Sequence, residues 1–455
     1  MSLISSISGV RGIIGTSLTP DVLVRYAAAF AEYCGRRPIV IGRDGRVTGK
    51  PIGNIVSSTL LSAGCDVVAL GVCPTPTIQI AVEQLKCAGG ISITASHNPI
   101  EWNGLKFLAN SGMFLNKDQH ERLQSILRSG SPGFVPWNKL GRHRTDDSFL
   151  QKHVEEVLKI PYINLRTVRK RRFKVVVDCV NASAGAVIPD LLKAFGCTVL
   201  EMNCDVSGVF AHTPEPLPEN LTALRRRVRR ERADLGMAVD PDGDRLVLID
   251  EEGKPFGEEY TIVQAVKFVL QHEARKNKKP LSPVVVNLST TRAVEDVAGP
   301  FGVRVIRTPV GEINVAAKMK EAGSIIGGEG SGGVILSTVH LGRDALVGIG
   351  ITLQHLAEFG GPLSELRRTL PEYVMTKHRI ESDSRDVPSL LARLAKRYAG
   401  KGIVNTDDGI RIDFERSWVH LRPSNTEPII RIISEGPDET QARSLAEEIM
   451  REAAT

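Results

Sequence analysis

No apolar run in this 455-residue chain is long enough to cross a bilayer; the longest, such as residues 262–270, are broken by Gln264 and Lys267. Met1-Ser2-Leu3-Ile4-Ser5 lacks the basic flank and apolar core of a signal peptide, so a soluble cytoplasmic protein is expected. Cysteine is sparse and odd in number: seven residues (34, 65, 73, 87, 179, 197, 204), with no CxxC or Cys/His pair at zinc spacing. Buried free thiols are therefore expected rather than a disulfide framework. Charge of one sign is also in short supply. Lys+Arg minus Asp+Glu is 58 − 52 = +6, which suits anionic small molecules but falls short of a dedicated nucleic-acid binder. The basic runs 166–172 and 225–232 directly precede apolar strands, and Val228 interrupts the second at helical spacing. They read as solvated helix faces and ends, so neither a nucleic-acid nor a membrane partner is expected.

Glycine, by contrast, is abundant. Forty-two glycines without a G-X-Y period exclude collagen and point to tight turns and loops that approach ligands closely. At roughly 100–200 residues per domain, the length predicts two to four domains. Short β-branched runs alternate with helical stretches: strands at 38–42 and 66–70 flank a helix at 53–63. The cadence returns at 174–178, 198–202 and 236–240, and again at 283–287, 303–307 and 324–327. Such alternation implies βαβ units and mainly parallel sheets. The last block differs. Runs 409–414, 418–421 and 428–434 alternate like antiparallel strands before a closing helix at 439–453. The expected architecture is α/β: three related α/β domains with mixed or parallel sheets (1–150, 151–253, 254–370) and a smaller α+β domain (371–455) around a central cleft.

In each α/β block one strand runs into a loop rich in Gly, Ser or acid, at the strand end where such sheets bind ligands. Asp240, Asp242 and Asp244 lie at i, i+2 and i+4, and Gly243 lets the backbone curl so that the carboxylates converge, a hard oxygen set suited to Mg²⁺. An EF-hand loop does not fit, because its sixth position, where glycine belongs, is Arg245 and 246–249 continues as strand. A solvated acidic turn is the plain alternative. Ser96, in Thr94-Ala95-Ser96-His97-Asn98-Pro99, follows an apolar run and is well presented for covalent chemistry. No nucleophile elbow surrounds it, and His97 need not face it, so an acyl-transfer triad is a poor fit; a Ser/Asn/Pro-capped turn is the rival. Gly328–Gly333 formally matches Gly-x-Gly-x-x-Gly, yet 334–336 reads as strand where a dinucleotide site needs a helix. Glu329 and Ser331 in that turn can instead hydrogen-bond hydroxyls of a polar ligand, with a plain strand-joining turn as the alternative. Arg422, Ser424, Asn425 and Thr426 lie in one loop able to cradle a phosphate, with an ordinary Pro/Asn turn between strands as the alternative. Arg11 and Lys106 form a further cationic set.

Taken together and in this order, these motifs resemble the α-D-phosphohexomutase family, which includes phosphoglucomutases, phosphomannomutases and phosphoglucosamine mutases. The likeness runs from Gly9-Val10-Arg11-Gly12 to residues 422–428. It implies an enzyme that interconverts hexose 6-phosphate and hexose 1-phosphate, primed by a hexose 1,6-bisphosphate or its amino-sugar equivalent. By resemblance, Ser96 would be the phosphoserine, and Asp240, Asp242 and Asp244 would hold Mg²⁺ with a phosphate oxygen on Ser96. Arg245 would contact the reacting phosphate, with Arg11, Lys106 and His97 beside it and Lys106 a candidate for proton transfer. Glu329 and Ser331 would meet the sugar, and Arg422, Ser424, Asn425 and Thr426 would clamp the distal phosphate. The expected partner is a small sugar phosphate; monomer and homodimer both stay open. Two departures bear on the sugar. The loop ends Ser331-Gly332-Gly333 where many relatives have Gly-His, and Glu312 follows Val310-Gly311 where some relatives carry histidine. An acid at 312 favours an amino sugar, so glucosamine phosphate is the expected substrate, with mannose or glucose phosphate as the alternative; a sugar-phosphate hydrolase or a non-catalytic sugar-phosphate-binding protein is the more remote one.

Overall fold

Runs of Val and Ile buried on both faces pair in parallel at the centre of the α/β sheets of the computed structural model, which describes residues 3–130, 133–276, 280–381, 387–423 and 429–453. The first sheet contains β1 (Ile4–Ser6), β2 (Gly9–Ile13), β3 (Ile39–Arg43), β4 (Val67–Val72), β5 (Gly89–Ile93), β6 (Trp102–Ala109) and β7 (His143–Thr145), in the order β1-β2-β6-β5-β3-β4-β7. β3, β4, β5 and β7 run parallel, as the alternation with helices predicts. β1, β2 and β6 join antiparallel and are not foreseen. Gly9, Arg11, Gly12, Asn103, Gly104 and Lys106 carry little strand propensity, and only pairing across the sheet makes these segments extended. The neighbouring helix, Gly49–Ser62, begins before the predicted 53.

The second sheet orders β8 (Lys174–Asp178), β9 (Thr198–Met202), β10 (Leu235–Val239) and β11 (Leu246–Ile249) as β11-β10-β8-β9. β10 and β11 pair antiparallel with Val239 opposite Leu246, so residues 240–245 close a hairpin. The two basic runs lie on the helices Leu165–Arg171 and Thr222–Glu231, whose last turns hold Arg169, Lys170, Arg171 and Arg229, Arg230. Cations there offset the negative ends of the helix dipoles.

Packing divides the chain into two compact units, Met1–Thr261 with Gly332–Arg367, and Ile262–Ser331 with Arg368–Thr455. In the second unit β12 (Val284–Asn287) pairs in parallel with β13 (Val305–Thr308) and β14 (Ile326–Glu329). β15 (Gly333–Leu336) and the helix Ala345–Phe359 return to the first unit. The second unit also holds the antiparallel sheet of β16 (Val374–Glu381), β17 (Ile403–Asn405), β18 (Ile410–Asp413), β19 (Trp418–Pro423) and β20 (Ile429–Gly436), in the order β16-β20-β19-β18-β17. Ile410, Ile412, Val419, Leu421, Ile430 and Ile432 bury one face of it in a core shared with Leu394, Ala446 and Ile449. All seven cysteines are free; five are buried, and Cys197 and Cys204 are half-buried. Among the described residues no helix is long and apolar enough to cross a membrane.

One buried carboxylate ties three helices of the first unit together. Asp344 Oδ2 meets His153 Nε2 at 2.7 Å and His340 Nε2 at 3.0 Å, while its Oδ1 caps Ala345–Phe359 through the N–H groups of Leu346 and Val347. His153 Nδ1 in turn meets Thr77 Oγ1, on the helix Thr75–Gln84, at 2.9 Å. Burial alone would raise the Asp344 carboxyl, but the two imidazoles outweigh it and hold the group well below the usual carboxylate range. Asp344→Ala removes two charge-assisted hydrogen bonds and a cap, so a loss of about 3 kcal/mol is expected. Thermal melts followed by circular dichroism check this, and an unchanged midpoint would deny the clasp.

Candidate active site

The acidic hairpin forms because Gly243 adopts φ +71°, and a Cβ there would stand 2.7 Å from Pro74. Thr75 N–H donates to Asp242 O at 2.8 Å and Ala345 N–H to Gly243 O at 3.1 Å, so the turn is held from both sides. Asp240, Asp242 and Asp244 are buried, with one oxygen of each lying within 4.8 Å of the others. Asp240 Oδ1 accepts from the N–H groups of Asp244 and Arg245. Asp242 Oδ2 accepts from Lys106 Nζ at 2.6 Å and Thr75 Oγ1 at 3.3 Å, and Asp244 Oδ2 from Arg343 Nη2 at 2.5 Å. Among the described residues, Asp242 Oδ1 and Asp244 Oδ1 are buried and accept no hydrogen bond.

Burial, with Asp244 and Asp242 adding to it, drives the Asp240 carboxyl far above its ordinary range against the pull of Arg245. Burial also works against Asp242, but the Lys106 ammonium overcomes it and holds Asp242 ionised. Three crowded carboxylates, two with an unsatisfied oxygen, fit a hard divalent cation, and the set can hold one.

Ser96 stands at the carboxyl end of β5, with φ +51° in the left-handed region. Its Oγ donates to Asp240 Oδ2 at 3.2 Å and lies 3.3 Å from His97 Nδ1. His97 thus does face the serine, which adjacency in sequence alone leaves open. Burial, helped by Arg245, Arg11 and Lys106, lowers the His97 imidazole to about 2, so the ring is neutral. Arg11 on β2 lies opposite Gly104 on β6 and donates to Asn98 Oδ1 at 3.0 Å. Lys106, on β6, is opposed by burial, yet Asp242 and Asp244 raise it above the usual lysine value and keep it an ammonium. Arg245 Nε lies 3.6 Å from Asp244 Oδ1 and 4.0 Å from Asp240 Oδ2. The first unit therefore gathers Ser96, His97, Arg11, Lys106, Arg245 and the three aspartates at one place.

Glu312, Glu329, Ser331 and Arg422 belong to the second unit. Glu329, at the end of β14, accepts through Oε1 from Asn287 Nδ2 at 2.7 Å and Gly311 N–H at 3.0 Å. Glu312 opens the helix Glu312–Ala322 and is buried; Ser331 follows β14 and is half-buried. Arg422 Nη1 lies 3.7 Å from Asp408 Oδ2, which also accepts from Val310 N–H at 2.9 Å. Ser424, Asn425 and Thr426 lie outside the described residues. As the sequence indicates, the glycine-rich turn leads from strand into strand and not into a helix.

Several supporting residues escape sequence reasoning: Asp44, Arg46, Thr75, Asn287, Arg343 and Asp408. Only Asp44 and Arg46 leave a local trace, as charged residues just beyond an apolar strand. The others are identified by what they touch.

Over most of its length the chain matches the four sequence profiles described as phosphoglucomutase/phosphomannomutase: alpha/beta/alpha domain I at residues 4–132, domain II at 151–253, domain III at 257–373 and the C-terminal domain at 379–452. It is 36% identical to a Methanopyrus kandleri protein described as a probable phosphoglucosamine mutase, over 97% of this chain and 96% of the other. It is 37% identical to a phosphoglucomutase/phosphomannomutase of Thermococcus kodakarensis, over 96% of each chain. A crystal structure of a phosphoglucomutase/phosphomannomutase family protein from Burkholderia thailandensis superposes with a TM-score of 0.84 at 27% identity, covering 99% of this chain and 97% of that one. Three α/β domains and a smaller C-terminal domain are thus the architecture of this chain as well.

In the second unit His420 Nε2–H donates to Asp408 O at 2.7 Å, so its Nδ1 accepts from Ser289 Oγ at 2.9 Å. Burial, with Arg411 and Arg422 adding to it against Asp408, lowers this imidazole from 6.5 to about 4. The unfolded chain takes up the proton first, so stability falls as pH drops from about 6.5 to about 4, by on the order of 3 kcal/mol. His420→Gln is expected to flatten that fall in melts recorded across this range; an identical slope would remove His420 as its source.

Proposed function

The chain belongs to the phosphoglucomutase/phosphomannomutase family and is a phosphohexomutase, an intramolecular phosphotransferase; on that premise we propose that Ser96 carries the phosphoryl group and that glucosamine phosphate is the preferred sugar. One observation carries the first part: the Ser96 hydroxyl lies 3.2 Å from a carboxylate of the buried aspartate trio, on a loop ringed by cations. The trio would hold Mg²⁺ through Asp240, Asp242 and Asp244. Bound there, the ion would withdraw charge from the oxygens of the migrating phosphoryl group.

The chain's own residues would do the rest by positioning and charge neutralisation, as a loose phosphoryl-transfer transition state requires. The bond between phosphorus and Ser96 Oγ breaks as a bond to the free sugar hydroxyl forms, giving a hexose bisphosphate. Over the whole step the proton of that hydroxyl ends on the departing Ser96 Oγ; the His97 ring, held at about 2, is too weak a base to keep it. Lys106 as an ammonium, Arg245 and Arg11 would neutralise the migrating group. The intermediate then presents its other phosphate to Ser96, and the reverse transfer restores the phosphoserine. Arg422, with Ser424, Asn425 and Thr426, would grip whichever phosphate is remote, while Glu329 and Ser331 meet the sugar hydroxyls. A hexose 1,6-bisphosphate or its amino-sugar equivalent would prime the unphosphorylated enzyme.

The four-block division at 1–150, 151–253, 254–370 and 371–455 gives one such loop to each domain. A reducing cytoplasm suits the free thiols, and the partner would be a small sugar phosphate, with no role for nucleic acid or membrane.

The preference for glucosamine rests on Glu312, whose carboxylate beside the sugar loop would pair with an ammonium, and on relatives described as phosphoglucosamine mutases. Ser96→Ala is expected to lose nearly all turnover, at least ~10³-fold, while sugar-phosphate binding by calorimetry persists. Full activity in that variant would remove Ser96 from the mechanism. Glu312→Gln is expected to lower the ratio of glucosamine phosphate to glucose phosphate turnover by about tenfold, on the scale of one lost charged hydrogen bond. An unchanged ratio would assign sugar choice elsewhere.

A further inference from the structure

The Ser96 loop is wound around a guanidinium that no catalytic role requires. Arg46 is fully buried, and each of its five N–H groups is taken. Nε donates to Asp44 Oδ2 at 3.0 Å; Nη1 donates to the carbonyls of Pro99 at 2.7 Å and Trp102 at 3.0 Å; Nη2 donates to those of Ser96 at 2.6 Å and Asn98 at 2.7 Å. Asp44 completes the frame: its Oδ2 accepts from Thr94 Oγ1 at 2.6 Å, and Thr94 Oγ1 accepts from Ser96 N–H at 2.8 Å. Both the N–H and the C=O of Ser96 are therefore held by this pair, directly or through one hydroxyl, while the residue sits at φ +51°. A non-glycine residue there costs on the order of 1 kcal/mol and persists only where its surroundings over-determine it. The Phe210 ring covers the guanidinium, 4.8 Å from Cζ. With no donor left over, Arg46 has nothing to offer a phosphate.

We propose that Arg46 is a positioning residue for phosphoryl transfer: with Asp44 and Thr94 it forms the template on which the Ser96 loop folds, and so aims Oγ at the site of reaction. A planar fork of five donors can collect four carbonyls and a carboxylate, whereas lysine has three donors in a different geometry. A displacement of about 1 Å at a reacting atom can cost ~100-fold in rate. This inference rests on Ser96 being the phosphoryl carrier.

The test measures Ser96 phosphorylation from ³²P-labelled glucose 1,6-bisphosphate in single turnover, together with steady-state kcat and KM, for the wild type, Arg46→Lys, Thr94→Val and Thr94→Ser. Thr94→Val removes both template bonds at nearly constant shape, and Thr94→Ser keeps them. Expected are a fall of roughly tenfold to 100-fold in labelling rate and kcat for Arg46→Lys and Thr94→Val, KM within about threefold, and near wild-type rates for Thr94→Ser. If the wild type acquires no label on Ser96, the reading of Ser96 itself fails. If the wild type is labelled but folded Arg46→Lys or Thr94→Val labels equally fast, or loses only KM, the template is overturned. Should Arg46→Lys not fold, Thr94→Val against Thr94→Ser decides alone.

Discussion

Three carboxylates withdrawn from water within a few ångströms of one another are the constraint on which the first unit depends. Burying even one ion costs several kcal/mol unless it is paired, and like charges side by side add to that. The surrounding structure answers with positive charge: Arg245 from the hairpin itself, and from distant parts of the chain Lys106 on β6 and Arg343 before the helix Ala345–Phe359. The compensation is incomplete, since among the described residues two oxygens still accept no hydrogen bond and Asp240 is driven toward its neutral form. A site short of positive charge in this way is poised for a divalent cation, which takes hard oxygen ligands.

A serine placed against that trio needs a backbone that does not relax. The loop bearing Ser96 makes turn bonds of its own, from Asn98 N–H to Ala95 O and from Trp102 N–H to Pro99 O, and four of its carbonyls face the Arg46 guanidinium. Rigidity is thereby supplied from β3, an element laid down fifty residues earlier, while the chemistry is displayed at the end of β5. Parallel neighbours make this possible, because β3 and β5 end side by side with Arg43 opposite Ile93. Strand ends in a parallel sheet bring loops from remote sequence together at one edge.

The second unit orients its carboxylates in the same way. Glu329 is oriented by the Asn287 amide and the Gly311 N–H, and Asp408 links Val310 to Arg422. Residues 310 and 422 are thus joined through one carboxylate, and His420 joins the same segment to Ser289.

Much of this was legible in the amino-acid sequence, because strand alternation, turn chemistry and the Asp240–Asp244 spacing are properties of neighbouring residues. From those alone follow the parallel sheets, the antiparallel C-terminal block, the curled acidic loop and the strand continuing past Gly333. Tertiary structure decided the rest. Gly9–Ile13 and Trp102–Ala109 are strands only because each pairs across the sheet, and that pairing sets Arg11 beside Gly104 and Lys106 against Asp242. Arg46, Arg343 and Asn287 look like ordinary polar residues until folding removes them from water. Their roles come from contacts made 40 to 100 residues away, where a buried donor must find its acceptor and local sequence carries no record of which one it finds.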